Sequence, residues 1–586
     1  MIKLLNNLSK KDRIIILIIA TLVVLSVFLD LRMPEYMSKI TRLVQTEDTT
    51  MKDILSAGTH MVLCAVGSMI TLIVICYFSS LLSANFSKTV RRKIFTKVES
   101  FGLAEIKKFK TSSLITRTTN DVTQIEMLLA MGLQLMIKAP IMAVWALLKI
   151  LGKSSQLSMI TATGVVIIVI TNMYIIRKVT PRFEKMQKLT DKINGVTREN
   201  LTGIRVIRAF NAEKFQQNRF SSVNTELADT QLANQKTFAI MDPIMHFVMH
   251  FQQLGIYFIG ALLITKLGMI DRINLFSNMV VFSSYGMQVI MSFLMLTMIF
   301  MILPRAQVSA NRINEILETD TSIKDGTFDK ETKEKGTIEF KNVGFKYPDA
   351  DEYILKNISF KVNKGDTIAF IGSTGSGKST LINLVPRLYD VTDGEVLIDG
   401  INVKDYKMSS LNNKIGYVSQ KAIMFDGSVK DNISYGDNGR KKPSLEKIKE
   451  AIEVAQAKDF VEKMENKYDS HIARGGTNVS GGQKQRLSIA RAIARDPEIY
   501  IFDDSFSALD YQTDATLRKE LKKYTKDATM MIVAQRIGTI MHADKIVVLD
   551  KGKCVGIGTH KELLKNCNIY KEIALSQLSE EEINNA

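Results

Sequence analysis

The residues best suited to chemistry in this chain form the stretch at residues 372–380, which fits the pattern G-x-x-x-x-G-K-[ST]. Its glycines let backbone N–H groups close around phosphate oxygens, where a Cβ atom would hold an anion away. A lysine at this place reaches the β- and γ-phosphates, and the hydroxyl after it ligates Mg²⁺. The stretch predicts a nucleotide site made of Gly372, Ser373, Thr374, Gly375, Ser376, Gly377, Lys378, Ser379 and Thr380.

Further residues of the C-terminal half suit the same chemistry. Tyr347 precedes the loop and is a candidate to stack on adenine. Gln420 follows an apolar run and is a candidate to contact Mg²⁺ or the attacking water. Asp503 ends a second apolar run with a carboxylate suited to Mg²⁺. A second anion-binding helix terminus is predicted at Ser480, Gly481, Gly482 and Gln483, in a helix that continues through Arg486 and Arg491.

An α/β domain is needed to position these residues. Residues 367–371 read as a buried strand before the loop, and a helix is expected to begin near Lys378. Two alternating strands are predicted at residues 336–340 and 343–347, where the soluble part begins. Buried strands are also predicted at residues 415–419 and 499–503.

The N-terminal half has another organisation, an all-α membrane domain of about six spans. Apolar runs long enough to cross a bilayer lie near residues 14–29, 57–83, 128–150, 156–177, 244–266 and 275–303. Short connections near 151–155 and 267–274 alternate with long hydrophilic ones near 84–127 and 178–243. Because the long connections are rich in helix formers, the spanning helices are expected to continue well beyond the membrane. Chain reversals are expected near 110–120 and 202–212.

The charge pattern favours a membrane protein over a nucleic-acid-binding protein. The net charge of +17 taken alone is compatible with a nucleic-acid partner. Much of it lies in the long connections, however, and this positive-inside pattern predicts that these connections and both termini are cytoplasmic. The four cysteines lack the spacing of metal ligands, so reduced thiols are expected.

Polar residues interrupt the apolar runs. Lys138 lies in the third run, and His246 and His250 lie in the fifth. A charge inside a span is costly unless it faces water or snorkels, so these residues either line a translocation cavity or reach the interface. The last two runs are rich in methionine, which suits a promiscuous apolar cavity but also ordinary packing; these residues are Met241, Met245, Met249, Met287, Met291, Met295 and Met298.

Taken together, the phosphate loop, Gln420, residues 480–483, Asp503 and residues 507–510 resemble the nucleotide-binding domain of ABC transporters, over residues 336–575. The first half resembles ABC exporters, with residues 113–121 and 203–209 similar to that family's two intracellular coupling loops. The resemblance implies a half-transporter: a six-helix transmembrane domain at 1–320, a linker at 321–335, and an α/β P-loop NTPase domain at 336–586. It also implies two subunits that bind two ATP molecules with Mg²⁺, each between one chain's phosphate loop and the other chain's counterpart of residues 480–483.

The chain departs from this family's pattern at three positions. Asp504 stands where glutamate usually follows the Mg²⁺ aspartate, Gln535 replaces a histidine, and Arg474 stands where exporters often carry glutamate. Asp504 is shorter than glutamate by one carbon–carbon bond, ~1.5 Å, and a displacement of about 1 Å can lower a rate on the order of a hundredfold. Gln535 cannot become cationic.

The resemblance assigns catalytic candidates and ligands as follows. The catalytic candidates are Gln420, Asp504, Asp510 and Gln535, and the Mg²⁺ ligands are Ser379, Gln420 and Asp503. This site is expected to bind ATP and to hydrolyse it poorly.

The prediction is therefore one subunit of a heterodimeric exporter in the cell membrane. Its partner is expected to be a second half-transporter encoded next to it, and its substrate an amphipathic small molecule such as a drug, lipid or peptide. An ATP-gated regulatory or channel-like subunit and an exporter-fold importer of metal chelates are the alternatives.

Overall fold

The computed structural model of the chain describes residues 1–46, 49–151, 155–265 and 268–578. It forms two units, Met1–Glu99 with Ser112–Thr319, and Ser100–Thr111 with Asp320–Ala586. Most of the short connection predicted at 151–155, the end of the fifth run at 266, the start of the connection at 267–274 and the last residues of the predicted NTPase domain lie outside the described residues.

The apolar runs of the N-terminal half fold as long helices. In chain order the helices are α1 (Ile2–Leu5), α2 (Lys10–Val44), α3 (Met51–Glu99), α4 (Leu103–Phe109), α5 (Thr111–Thr118), α6 (Asn120–Met127), α7 (Leu133–Leu151), α8 (Ser155–Thr202), α9 (Ile204–Ala209), α10 (Glu213–Ala239), α11 (Met241–Ile264) and α12 (Met269–Glu318). A π-helical turn, Leu128–Gly132, joins α6 to α7. Of these helices, α4 belongs to the second unit.

Among the residues that the structure describes, six helical stretches are long and apolar enough to cross a membrane, which confirms the number of predicted runs. They are Lys10–Val44, Met51–Glu99, Thr111–Ile150, Ser155–Thr202, Glu213–Ile264 and Asp271–Glu318. Helix α3 has 49 residues and α8 has 48, whereas about 20 residues cross a bilayer. The spanning helices therefore continue well past their apolar segments, as predicted.

Both predicted chain reversals coincide with breaks between helices. The second is confirmed, because Gly203, the short helix α9 and Asn211 with φ 51° separate α8 from α10. The first lies at the start of its predicted range, where Lys110 with φ 56° follows the end of α4 and precedes α5. Residues 113–121, which resemble a coupling loop, lie within α5 and α6 of the first unit and at the turn between them.

The second unit is an α/β domain. Its strands are β1 (Ile338–Phe345), β2 (Leu355–Val362), β3 (Thr367–Gly372), β4 (Asp393–Ile398), β5 (Ile401–Asn402), β6 (Ile415–Val418), β7 (Gly427–Ser428), β8 (His471–Ile472), β9 (Ile499–Asp503), β10 (Thr529–Val533), β11 (Lys545–Asp550) and β12 (Lys553–Gly558). Its further helices are α13 (Lys378–Asn383), α14 (Met408–Asn413), α15 (Val429–Ile433), α16 (Leu445–Val454), α17 (Lys458–Glu462), α18 (Gly481–Arg495), α19 (Tyr511–Tyr524), α20 (Ile537–Ile540), α21 (His560–Asn566) and α22 (Asn568–Leu575).

A six-stranded sheet in the order β12-β11-β3-β10-β9-β6 forms the centre of this unit. All its neighbouring strands are parallel except the β11–β12 pair. Every residue of β9 and β10 is buried, as expected for parallel strands covered on both faces. Because the carboxyl ends of parallel strands meet at one edge, the segments that follow β3, β6, β9 and β10 converge there.

A separate antiparallel sheet, in the order β2-β1-β4-β5, contains the region predicted as two strands. That region is one strand, β1, whose pairing with β2 shifts register between Phe340 and Val343 and again between Val343 and Phe345. Tyr347 lies beyond the end of β1 rather than inside a strand. Because the register shifts, one strand contains most of both alternating patterns, at residues 336–340 and 343–347, which were predicted from the sequence as two strands.

Candidate functional site

The phosphate loop connects β3 to α13, as predicted. Gly372 has φ 154° and Gly377 has φ 98°, in the region that favours glycine. A Cβ atom on Gly372 would lie 2.0 Å from the carbonyl oxygen of Leu549, and one on Gly377 would lie 2.7 Å from the side chain of Leu355. Both glycines are therefore required for the loop to pass this close to its neighbours.

Lys378, the first residue of α13, points back over the loop. Its ammonium group donates to the carbonyl oxygens of Gly372 and Ser373, both at 2.8 Å. Burial lowers the pKa of Lys378, while the carboxylates of Asp504 and Asp503 act in the opposite direction. The lysine is thus a partly desolvated cation held on the phosphate loop, where it can donate charge-assisted hydrogen bonds to an anion.

Ser379 and Asp503 lie side by side. The Ser379 hydroxyl donates to Oδ1 of Asp503 at 2.7 Å, and Asp503 is buried at the end of β9. Burial is the main reason that the pKa of Asp503 is raised. A hydroxyl and a carboxylate at this spacing are hard oxygen donors of the kind that Mg²⁺ prefers.

The residue after Asp503 receives two amide groups. Nε2 of Gln535 donates to Oδ2 of Asp504 at 2.8 Å, and Nε2 of Gln420 donates to the same oxygen at 3.4 Å. Burial raises the pKa of Asp504, and the hydrogen bonds from Gln420, Ser507 and Gln535 oppose that rise. The structure therefore brings together the predicted residues Gln420, Asp504 and Gln535.

Tyr347 is joined to the same region through its hydroxyl. The hydroxyls of Tyr347 and Thr380 share a hydrogen bond of 3.0 Å. Its ring packs edge-to-face with Phe345 and Tyr389, with centroids 5.0 Å and 5.3 Å away. Tyr389 was not predicted from the sequence, because a tyrosine after the phosphate loop has no motif of its own.

Residues 480–483 form the start of another helix, α18. Ser480 is its N-cap: the Ser480 hydroxyl accepts the N–H of Gln483 at 3.3 Å, and the Ser480 N–H donates to Oε1 of Gln483 at 2.8 Å. Arg486 and Arg491 serve the packing of α18, since they donate to the carbonyls of Gln456 and Asn432 at 2.6 Å and 2.7 Å.

Asp510, another predicted catalytic residue, lies at the N-terminus of α19. Its carboxylate accepts the N–H of Thr513 at 2.9 Å and caps α19. This backbone hydrogen bond is the main reason that the pKa of Asp510 is lowered. Within the chain it is a helix cap, unlike Asp504.

Of the polar residues predicted within the apolar runs, Lys138 is ion-paired, and the two histidines are exposed. Lys138 forms an ion pair with Asp30 at 3.0 Å, and the two side chains are 21% and 15% exposed. His246 and His250 lie exposed on α11 with their rings stacked at 6.2 Å. Among the methionines, Met245 is buried, whereas Met287, Met291 and Met298 are exposed.

Comparison with known proteins decides the family. The profile of the ABC transporter transmembrane region matches residues 15–302, and the ABC transporter profile matches residues 355–507. An uncharacterised ABC transporter ATP-binding protein of Mycobacterium tuberculosis is 39% identical over 518 residues, which cover 88% of this chain and 87% of that protein. The chain belongs to the ABC transporter family.

One further relative and one solved structure resemble this ABC transporter over most of its length. It is 31% identical over 512 residues to the ATP-dependent lipid A-core flippase of Mannheimia succiniciproducens, covering 87% of this chain and 86% of the flippase. A solved structure of a bacterial Atm1-family ABC exporter with ATP bound has the same fold, with a TM-score of 0.80 and 22% identity, covering 97% of this chain and all of that one. The chain is thus a multi-pass membrane protein with an exporter-type transmembrane domain and an ABC ATPase domain that drives transport.

Proposed function

We propose that this ABC transporter chain is one subunit of a heterodimeric exporter, and that its own site binds ATP and Mg²⁺ but hydrolyses ATP slowly. The hydrogen bond between Gln535 and Asp504 carries this proposal. Asp504 stands at the position where the family's pattern has the glutamate that polarises the attacking water, and it is one methylene shorter than glutamate. Its Oδ2 already accepts two amide N–H groups, which occupy the oxygen that would face water and oppose the rise that burial causes in the pKa of Asp504.

Nucleotide binding in this proposal depends on residues that match the family's pattern, unlike Asp504 and Gln535. Lys378 exchanges its two loop carbonyls for the β- and γ-phosphates, and backbone N–H groups of the loop surround the same oxygens. Ser379 and Asp503 would hold Mg²⁺, which would supply positive charge to the phosphate oxygens. Tyr347 stacks on the adenine base.

A partner chain of different sequence is proposed because each ATP site would combine the phosphate loop of one chain with residues 480–483, or their counterpart, of the other. Residues 480–483 retain a well-formed helix N-terminus, which in a two-subunit assembly would serve the partner's nucleotide. In a homodimer this terminus would meet only sites with Asp504 and Gln535. A partner with glutamate and histidine at these positions would instead give one competent site, completed by this chain.

The proposed cargo is an amphipathic small molecule, exported across the cell membrane with the ATPase domain in the cytoplasm. A relative that is a lipid A-core flippase supports a lipid-like amphipathic molecule within this class. Transport against a gradient by the reconstituted complex tests the proposal, since a channel-like subunit would only equilibrate the substrate.

The decisive experiment compares ATP hydrolysis by this chain alone with hydrolysis by this chain and its neighbour. We expect low activity alone and high activity together. In the complex, Ser480→Ala should abolish most turnover by spoiling the partner's site, whereas Asp504→Ala should change it little. Fast hydrolysis by this chain alone, abolished by Asp504→Ala, would favour a homodimer with an aspartate base.

A further inference from the structure

A lysine from the N-terminal half of the chain lies against the candidate adenine-binding tyrosine. Nζ of Lys107, in α4, lies 4.8 Å from the ring centroid of Tyr347 and 5.6 Å from that of Tyr389. The two rings are nearly perpendicular, with an interplanar angle of 85°. The ammonium group therefore occupies the corner between two aromatic rings, where the quadrupoles of both attract a cation.

Helix α4 holds this lysine in a defined place. Leu103 and Ala104 pack against the core that includes β1 and β3. The carboxylate of Glu105 is buried and accepts the N–H groups of Gly102 and Ser322, at 2.8 Å and 3.1 Å. Because both carboxylate oxygens of Glu105 accept hydrogen bonds, α4 is anchored within the second unit. Its neighbours in sequence, α3 and α5, are helices of the membrane half.

Tyr347 is held at its other end by the phosphate-loop helix. Its hydroxyl is hydrogen-bonded to Thr380, and the preceding residue, Ser379, donates to Asp503 at 2.7 Å. The orientation of the Tyr347 ring is therefore set by Thr380 at the hydroxyl and by Lys107 at one ring face.

We infer that Lys107 is a positioning residue for the nucleobase: its ammonium group holds the Tyr347 ring in the orientation that stacks on a purine. The inference rests on the proposed function, since it requires ATP at the phosphate loop. A ring that is already oriented loses less freedom when a base stacks on it, so the base binds more tightly. The nucleotide affinity of the ATPase domain then depends on a residue between the second and third membrane-crossing stretches.

The test measures dissociation constants of full-length protein in detergent for two probes, Mg·ATP and inorganic tripolyphosphate with Mg²⁺. Lys107→Met keeps the apolar stem and removes the cation, and we expect about two- to fivefold weaker ATP binding. Tripolyphosphate has no base, so its affinity should not change. Lys107→Arg should restore ATP binding, because a guanidinium group also stacks on aromatic rings.

Lys108→Met is the matched control. It removes the same charge from the same helix, and Lys108 lies over the ring of Phe109 rather than over Tyr347. We expect wild-type affinity for both probes. In a Tyr347→Leu background, Lys107→Met should have no further effect.

Several results would overturn the inference: unchanged or tighter ATP binding by Lys107→Met, an equal loss for both probes, or additive effects of Lys107→Met and Tyr347→Leu. Failure of the proposed function is distinguishable, because Lys378→Ala would then leave the affinity for both probes unchanged.

Discussion

The side-chain amide of Gln535 donates to the Asp504 carboxylate across 2.8 Å, which joins two of the positions where this chain departs from its family's pattern. The two residues lie after neighbouring parallel strands, β10 and β9, whose carboxyl ends are in register at Val533 and Asp503. A substitution at either position therefore changes the surroundings of the other, and the two are best tested as a pair.

The first prediction is that Asp504 and Gln535 are energetically coupled. Asp504→Glu alone pushes a longer carboxylate against the amide, and Gln535→His alone leaves the short carboxylate in place. The double variant should raise ATP turnover at this site above the product of the two single effects, with a coupling energy of about 0.5–3 kcal/mol. Turnover is measured in the complex while the partner's site is inactivated. Independent single effects would show that the observed hydrogen bond has no part in catalysis.

Lys378→Ala should weaken ATP binding. The variant removes the cation that faces the β- and γ-phosphates, and a charge-assisted hydrogen bond contributes about 1.5–3 kcal/mol, roughly a 10- to 100-fold change in the dissociation constant. Photolabelling of this chain at limiting ATP measures the loss. Lys364→Ala is a suitable control, since Lys364 lies before β3 and outside the loop. Unchanged labelling of the Lys378 variant would contradict the site assignment.

Asp503→Asn should stabilise the nucleotide-free protein and remove the stabilisation by Mg·ATP. Burial raises the pKa of Asp503, so the folded state disfavours the carboxylate and stability decreases as the pH rises through the folded-state pKa. The gain from asparagine should be largest at neutral pH and vanish in acid, where the carboxyl group is protonated in both states. Thermal unfolding at several pH values, with and without Mg·ATP, measures both effects. A variant that is less stable at neutral pH would contradict this account.

Replacing Arg205 and Phe210 by alanine should lower transport per ATP hydrolysed and leave ATP binding intact. Phe210 is 79% exposed at the second chain reversal, an apolar side chain offered to a partner surface. Transport and hydrolysis are measured together in reconstituted vesicles. Phe220→Ala, on α10 and away from the reversal, is the control. An unaltered ratio in the double variant would show that this reversal does not couple hydrolysis to transport.

Lys138→Met should destabilise the membrane half by leaving Asp30 without its ion-pair partner, at a cost on the order of 3–5 kcal/mol. Adding Asp30→Asn should recover much of the loss, because no uncompensated charge then remains. Thermal midpoints in detergent compare the single and double variants. If the single variant is as stable as the wild type, the pair is not a structural element.

The sequence by itself determined the features that depend on neighbours in the chain. The glycine spacing and lysine of the phosphate loop, the helix at Ser480 and the six apolar runs all follow from local patterns, because turns, caps and hydrophobic periods involve residues only a few positions apart. Strands β9 and β3 could be predicted for the same reason. The end of β1 before Tyr347 could not, since register shifts depend on the strands beside it.

Only the tertiary structure decided which distant residues meet. Lys138 was expected to face a cavity or to snorkel, and the structure adds that it pairs with Asp30. Gln535 and Asp504 looked like two separate departures from a pattern, and they share a hydrogen bond. Lys107 belonged to a basic connection with no assigned role, and it lies over Tyr347. Such pairings arise from the packing of whole elements, and no local period or propensity records them.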